Sequence, residues 1–311
     1  MTLSNPRDLS DLQDNANSQF KPALRSRYRL DRVFELLTWF ATILSLVVLV
    51  TLLFDVISDG ASSLSWDFVT SPPSRRAARA GIWPALIGTI WLLAITAVVA
   101  FPIGVGSGIF LEEFAPDNWF TRLIEINVGN LAAVPSIVYG LLGLTVFVDI
   151  MRPITGGNSV LSGGLTLALL ILPIIIVSTR EALRAVPDSL RQGGFALGAT
   201  RWQVIRDLVF AQSLPGILTG TILALSRAIG ETAPILVVGA AGYIAFTPEL
   251  SLKGLQSDFT ALPIQIYAWV ARAQKEFEPI AAGGIIVLLF VLILMNATAI
   301  VLRNKFQNQK L

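Results

Sequence analysis

Residues 153–179 read PITGGNSVLSGGLTLALLILPIIIVST, and none of them carries a charge. A helix needs about 20 apolar residues to cross the hydrocarbon core of a bilayer. A run of this length between Arg152 and Arg180 therefore reads as a membrane span. The same signature recurs on both sides. Residues 36–54 are long enough to cross once, and uncharged runs lie between Arg79 and Glu112 and between Glu125 and Asp149. Further on, residues 208–248 are interrupted only by Arg227 and Glu231, and a last run lies between Glu278 and Arg303. The expected fold class is all-α, a polytopic membrane bundle of six transmembrane helices. Closed β-barrels also cross membranes, but these runs do not alternate apolar with polar residues.

Composition agrees. Of 311 residues, 54% are hydrophobic and 14% charged, against about a quarter charged in a soluble domain. The net charge of +2 is a small imbalance that implies no nucleic-acid partner. Cysteine and histidine are both absent, which excludes thiolate and imidazole metal sites, disulfides and Ser-His-Asp chemistry in this sequence. No metal, cofactor or catalytic residue is expected. Gly104-Val105-Gly106-Ser107-Gly108 has the look of a phosphate-binding loop. It lies in an apolar helical run without the Lys-Ser/Thr ending, so close helix packing is its reading. No Walker motif is present.

Pro84, Pro102, Pro135, Pro173, Pro215 and Pro234 fall in or near spans, where they bend helices for packing or serve gating. The first run is too long for a signal-peptide core and is followed by no small-residue cleavage pattern. Lys21, Arg25, Arg27, Arg29 and Arg32 precede it, which places the N-terminus in the cytoplasm. Six crossings return the C-terminus to that side, with Arg303, Lys305 and Lys310. Arg180, Arg184, Arg191, Arg201 and Arg206 then face the cytoplasm as well. Arg75, Arg76 and Arg79 run against this pattern, since the same topology places them outside.

Between the fourth and fifth spans the chain reads REALRAVPDSLRQGGFALGATRWQVIR over residues 180–206. Pro187 suits a first helical turn, and Leu190, Phe195, Leu197, Trp202 and Ile205 supply apolar positions among charges. Gly198, Ala199 and Thr200 suggest a helix stop and a second short helix. Two short amphipathic helices need a surface to cover. They pack on this chain's own helix ends or dock into a groove on a soluble partner.

These residues resemble the cytoplasmic coupling loop of ABC importer permeases, whose pattern is Glu-Ala-Ala, three residues, then Gly. The pattern falls on Gln192, Gly193, Gly194 and Gly198. The triplet itself is replaced, and the later Leu-Pro falls on Phe210 and Ala211, with Leu214-Pro215-Gly216 following. Four more stretches are similar to phosphate importer permeases. They are Gly81–Pro84 with Ile87-Gly88-Thr89, Phe101–Gly104 through Leu111–Phe114, Ala132–Gly140, and Ser226–Pro234, whose Glu-Thr-Ala-Pro ending favours the PstA type over its PstC sister. The resemblance covers about residues 80–303.

It implies a type I ABC importer permease fold (MetI-like) in a bacterial inner membrane, forming half of a pseudo-symmetric heterodimer for inorganic phosphate. The implied partners are a sister permease (PstC type), a dimeric ATPase (PstB type), an external phosphate-binding protein (PstS type) and membrane lipid. Residues Gln192, Gly193, Gly194, Ala196, Gly198, Ala199 and Trp202 would couple to the ATPase. The chain divides accordingly into a polar tail (1–32), a first transmembrane helix with an external loop (33–80), a permease domain (81–303) with a coupling segment (185–206), and a short tail (304–311).

Arg227 and Glu231 stand where charge is expensive. If a fifth helix covers about residues 217–240, Arg227 lies near its middle, and the i to i+4 spacing puts both residues on one face. A guanidinium offers forked donors to an oxyanion. Glu231 would orient it and hold down the positive potential, so that the anion is released. The alternative is an ion pair that fixes helix register against a partner subunit, and the resemblance favours the pathway. Asn130, Ser136 and Tyr139 are expected to bond to a neighbouring helix, and Ser178, Thr179 and Arg180 to mark a cytoplasmic boundary. Residues 249–278, with Tyr267 and Trp269, form either an interface for an external binding protein or an amphipathic rest on the membrane. Two rival classes share the composition: a permease for another oxyanion, such as sulfate or molybdate, and a secondary transporter or channel. The latter usually shows internal repeats and acids on several helices.

Overall fold

The computed structural model describes residues 24–249 and 251–308, and among them every regular element is helical. Lys21, Lys310 and most of the polar N-terminal tail lie outside the described residues.

The chain divides into two units, residues 1–55 and 56–311. The first is described by the larger part of helix α1 (Leu24–Gly60), whose apolar residues lie all around its circumference. Its hydroxyls are satisfied within the helix. Thr38, Thr42, Ser45 and Thr51 each donate to the carbonyl four residues back, at 2.7–2.9 Å. These four hydroxyls therefore need no water along the span.

In the second unit, the end of α1 is followed by a short helix, α2 (Trp66–Thr70), capped by the Ser65 hydroxyl. Its centre is α3 (Trp83–Ile109) laid along α7 (Val160–Arg184). Small residues permit the approach. A Cβ on Gly104 would lie 2.7 Å from Ile175 Cγ2, and one on Gly108 would lie 2.7 Å from Thr179 Cβ. The packing reading of this glycine run is borne out, since only Gly106 faces open space. The Thr96 hydroxyl donates to the Gly164 carbonyl at 3.1 Å across the same seam.

The C-terminal ends of α3 and α7 meet through Glu112 and Arg180, so the two helices run parallel and the chain must recross between them. It does so through α4 (Trp119–Leu131) and α5 (Ser136–Gly143), followed by the short α6 (Arg152–Thr155). The third span is thus not one helix: α4 and α5, with the π turn Leu144–Ile150, meet at 105°. Pro135 explains the break. It has no N–H to give Leu131, and its ring would collide with that carbonyl. The Tyr139 phenol donates to the freed Leu131 oxygen at 2.8 Å.

The fifth span also differs from expectation. Helix runs without interruption from α9 (Arg201–Gln203) through the π turn Val204–Val209 into α10 (Phe210–Gly230) and stops there. Pro234, four residues after Gly230, stops it by the same geometry. The chain resumes as α11 (Ala233–Val237). Pro102, Pro173 and Pro215 lie inside continuous helices.

Residues 249–278 include a helix packed into the bundle, with Trp269 buried and Tyr267 exposed. After α12 (Leu252–Leu255), α13 (Leu262–Val270) is folded against α3 and α14 (Glu278–Asn308), with Leu262, Ile264, Gln265 and Trp269 buried. Thr89 Oγ1 accepts the Leu262 N–H at 2.9 Å.

Candidate functional site

Arg227 lies in the last turn of α10, not near the middle of its helix, and Glu231 follows the helix end with extended backbone. The pair still forms, Arg227 Nε donating to Glu231 Oε1 at 3.2 Å. The depth of the pair follows from its neighbours. Ala224 and Ala228 are buried in one cluster with Ala168, Ile171 and Ile175, which occupy the middle of α7. Arg227 therefore sits level with the centre of a full span, on a face where its side chain is 45% exposed and that of Glu231 17%. The guanidinium also complements the negative end of the α10 dipole.

The two helix breaks meet here. Behind Glu231, α11 packs on α5, and a Cβ on Gly140 would lie 2.8 Å from the Pro234 Cα. Two discontinuous helices thus flank a charged pair at mid-depth. Asn130 is exposed and Ser136 half-buried, so of the three polar residues singled out in the third span only Tyr139 is buried.

On the face that carries the arginine-rich segment, α8 (Asp188–Ala196) starts after Pro187 and ends before Gly198, whose φ of +80° is cheap for glycine alone. The next helix opens with a capping box between Thr200 and Gln203. It is not a second short helix but the start of the fifth span. Of the residues singled out for coupling, Gln192, Gly193, Ala196, Gly198 and Trp202 are exposed and Ala199 is half-buried. Gly194 is turned inward, where a Cβ would lie 2.8 Å from Val204 Cγ2. Phe195, Leu197 and Trp202 stand out as an apolar surface, Leu197 at 90% exposure.

Sequence reasoning missed an ion network beneath this surface. Arg180, read as a span boundary, is buried between Glu112 (3.1 Å) and Glu125 (2.6 Å). Glu112 also accepts from Arg184 Nε at 2.7 Å. Next to it, Glu113 accepts from Arg191 Nη2 at 2.7 Å, and Arg191 further donates to the Leu183 and Val186 carbonyls. The bond to Glu113 raises the Arg191 guanidinium above its already high value, so it stays charged. The one signal in the sequence was the pair Glu112-Glu113 closing an apolar run.

Comparison with known proteins gives a consistent result. The model of the binding-protein-dependent transport system inner membrane component family matches residues 100–306. The chain is 30% identical over 280 residues to the phosphate transport system permease protein PstA of Yersinia pestis, covering 90% of this chain and 92% of that one. It is 33% identical over 261 residues to the probable ABC transporter permease protein YqgI of Bacillus subtilis, covering 81% and 87%. Among solved structures, a bacterial alginate ABC transporter in complex with its alginate pentasaccharide-bound periplasmic protein aligns with a TM-score of 0.63 at 14% identity, over 90% of this chain and 96% of that one. The MetNI methionine ABC transporter aligns at 0.53 with 18% identity, over 72% and 97%. These two likenesses concern the fold.

Proposed function

This chain belongs to the binding-protein-dependent transport system inner membrane component family, and from that premise we propose that it forms half of the membrane path of an ATP-driven inorganic phosphate importer. The carrying observation is the Arg227–Glu231 pair, set at mid-span between two broken helices and open on one side. The likeness to PstA relatives supports phosphate as the cargo.

Phosphate presents several anionic oxygens, and a guanidinium fork can take two of them. In the empty path, Glu231 holds the fork and offsets its charge. Phosphate competes for the same donors, and the remaining carboxylate keeps binding weak enough for release. The sister permease supplies the facing wall, a separate dimeric ATPase supplies the energy, and an external binding protein delivers the anion. Both termini and the segment 185–206 lie on the cytoplasmic side, where the apolar surface of Phe195, Leu197 and Trp202 meets the ATPase.

The test is reconstitution of the chain with its sister permease, ATPase and binding protein in liposomes, followed by radiolabelled phosphate uptake. The expected result is ATP-dependent uptake that excess unlabelled phosphate suppresses and sulfate or molybdate does not. Suppression by sulfate or molybdate instead assigns another oxyanion, and uptake by the chain alone contradicts the importer reading.

A further inference from the structure

We propose that Glu113 and Phe114 are positioning residues that bind both arms of the coupling segment to the end of α3, so that α8, the start of α9 and the end of α3 move as one body. This rests on the ATP-driven importer reading but not on phosphate as cargo.

The two arms, α8 and α9, are joined through Gly198. A Cβ at that position would have no neighbour within 4 Å, so Gly198 itself is not packed, and the turn is held by backbone bonds and by Ala199. Beneath the arms lies a cleft of about 330 Å³ lined by Glu113, Arg191, Phe195, Arg201, Val204 and Ile205. Apolar packing there is incomplete, and polar contacts cross the gap. The Glu113 carboxylate holds Arg191 from the first arm at 2.7 Å, with the glutamate side chain 9% exposed and the arginine 18%. The Glu113 main-chain oxygen accepts from Arg201 of the second arm. The Phe114 ring carries the Arg201 guanidinium at 5.4 Å and lies 6.4 Å from the Trp202 ring. Both residues belong to the π turn Phe110–Phe114, in which the preceding Glu112 reaches Arg180 and Arg184 of α7. One turn thus grips α7 with one carboxylate and the coupling segment with the next. Charge-assisted bonds from guanidinium groups are short and directional, so a push on α8 is passed to α3 and not absorbed at Gly198.

The chain has no cysteine, so spin labels can be placed at Phe110→Cys and Ser189→Cys in the full importer in liposomes. The expected result is one narrow inter-label distance, unchanged by ATP. Adding Glu113→Gln should make the distance shift or broaden on ATP binding. It should also lower the stimulation of ATP hydrolysis by the loaded binding protein about fivefold or more, with basal hydrolysis retained and Glu113→Asp restoring part of the stimulation. A wild-type distance that itself changes with ATP overturns the proposal. So does a Glu113→Gln protein with the unchanged distance, or one with basal and stimulated hydrolysis lowered equally. If Glu113→Gln does not assemble, Arg201→Lys, which keeps charge but loses the fork, is measured in its place, and the same outcomes support or overturn the proposal. A complex that hydrolyses ATP but carries no phosphate contradicts only the cargo assignment, because the distance measurement does not depend on the cargo.

Discussion

Arg227 and Arg180 are both arginines in apolar surroundings, yet they stand in opposite situations. Arg227 has one partner and an open side. Arg227→Ala should abolish phosphate uptake while the amount of assembled complex recovered from membranes stays at the wild-type level. Arg227→Lys, which keeps the charge and loses the fork, should fall between the two. Normal uptake by the alanine variant refutes the pathway role. Arg180 is closed in by two carboxylates. Arg180→Gln leaves Glu125 without its counter-charge and Glu112 with Arg184 alone, and should cost about 3 kcal/mol, read as a lowered unfolding midpoint of the purified complex. The first arginine was legible because it interrupts an uncharged run. The second was hidden, because Glu112 lies 68 residues away in sequence and nothing local marks the pairing.

The helices owe their positions to glycines and prolines whose effects depend on what lies opposite. Gly104→Ala and Gly108→Ala each push a methyl into α7 and should destabilise by about 1–3 kcal/mol. Gly106→Ala meets open space and should be neutral or stabilising by up to about 1 kcal/mol through helix propensity. Thermal unfolding of the three variants side by side checks the ordering, and equal losses in all three contradict it. Thr89→Val keeps the shape but leaves the Leu262 N–H of α13 without its acceptor. It should cost about 1–3 kcal/mol, with proteolysis within residues 249–278 as the local readout. Of six prolines noted near spans, only Pro135 and Pro234 break a helix. At Pro135 the Leu131 carbonyl takes the Val134 N–H and the Tyr139 hydroxyl, and the phenol reaches it only because the chain bends there.

For the molecule as a whole, the parallel α3 and α7 with a bent return between them fit the expected crossings, and the topology yields its own test. In the cysteine-free chain, Ala78→Cys should react with an impermeant maleimide in intact cells. A cysteine at Ser18 or at Gln309 should react only after the membrane is opened. Labelling of residue 18 in intact cells reverses the assigned orientation.

A membrane bundle of about six spans, with an arginine-rich segment between the fourth and fifth, was legible in the sequence alone, because a bilayer imposes length and apolarity on each span separately. The sequence also marked Arg227 and Glu231, since a charge in an apolar run stands out without any knowledge of the fold. Packing was needed to show that α10 ends at mid-depth beside Arg227, that the third span bends by 105° at Pro135, and that Glu112 and Glu113 join the end of α3 to α7, α8 and α9. Each of these depends on which distant groups come within hydrogen-bond reach, and that is settled only when the helices pack.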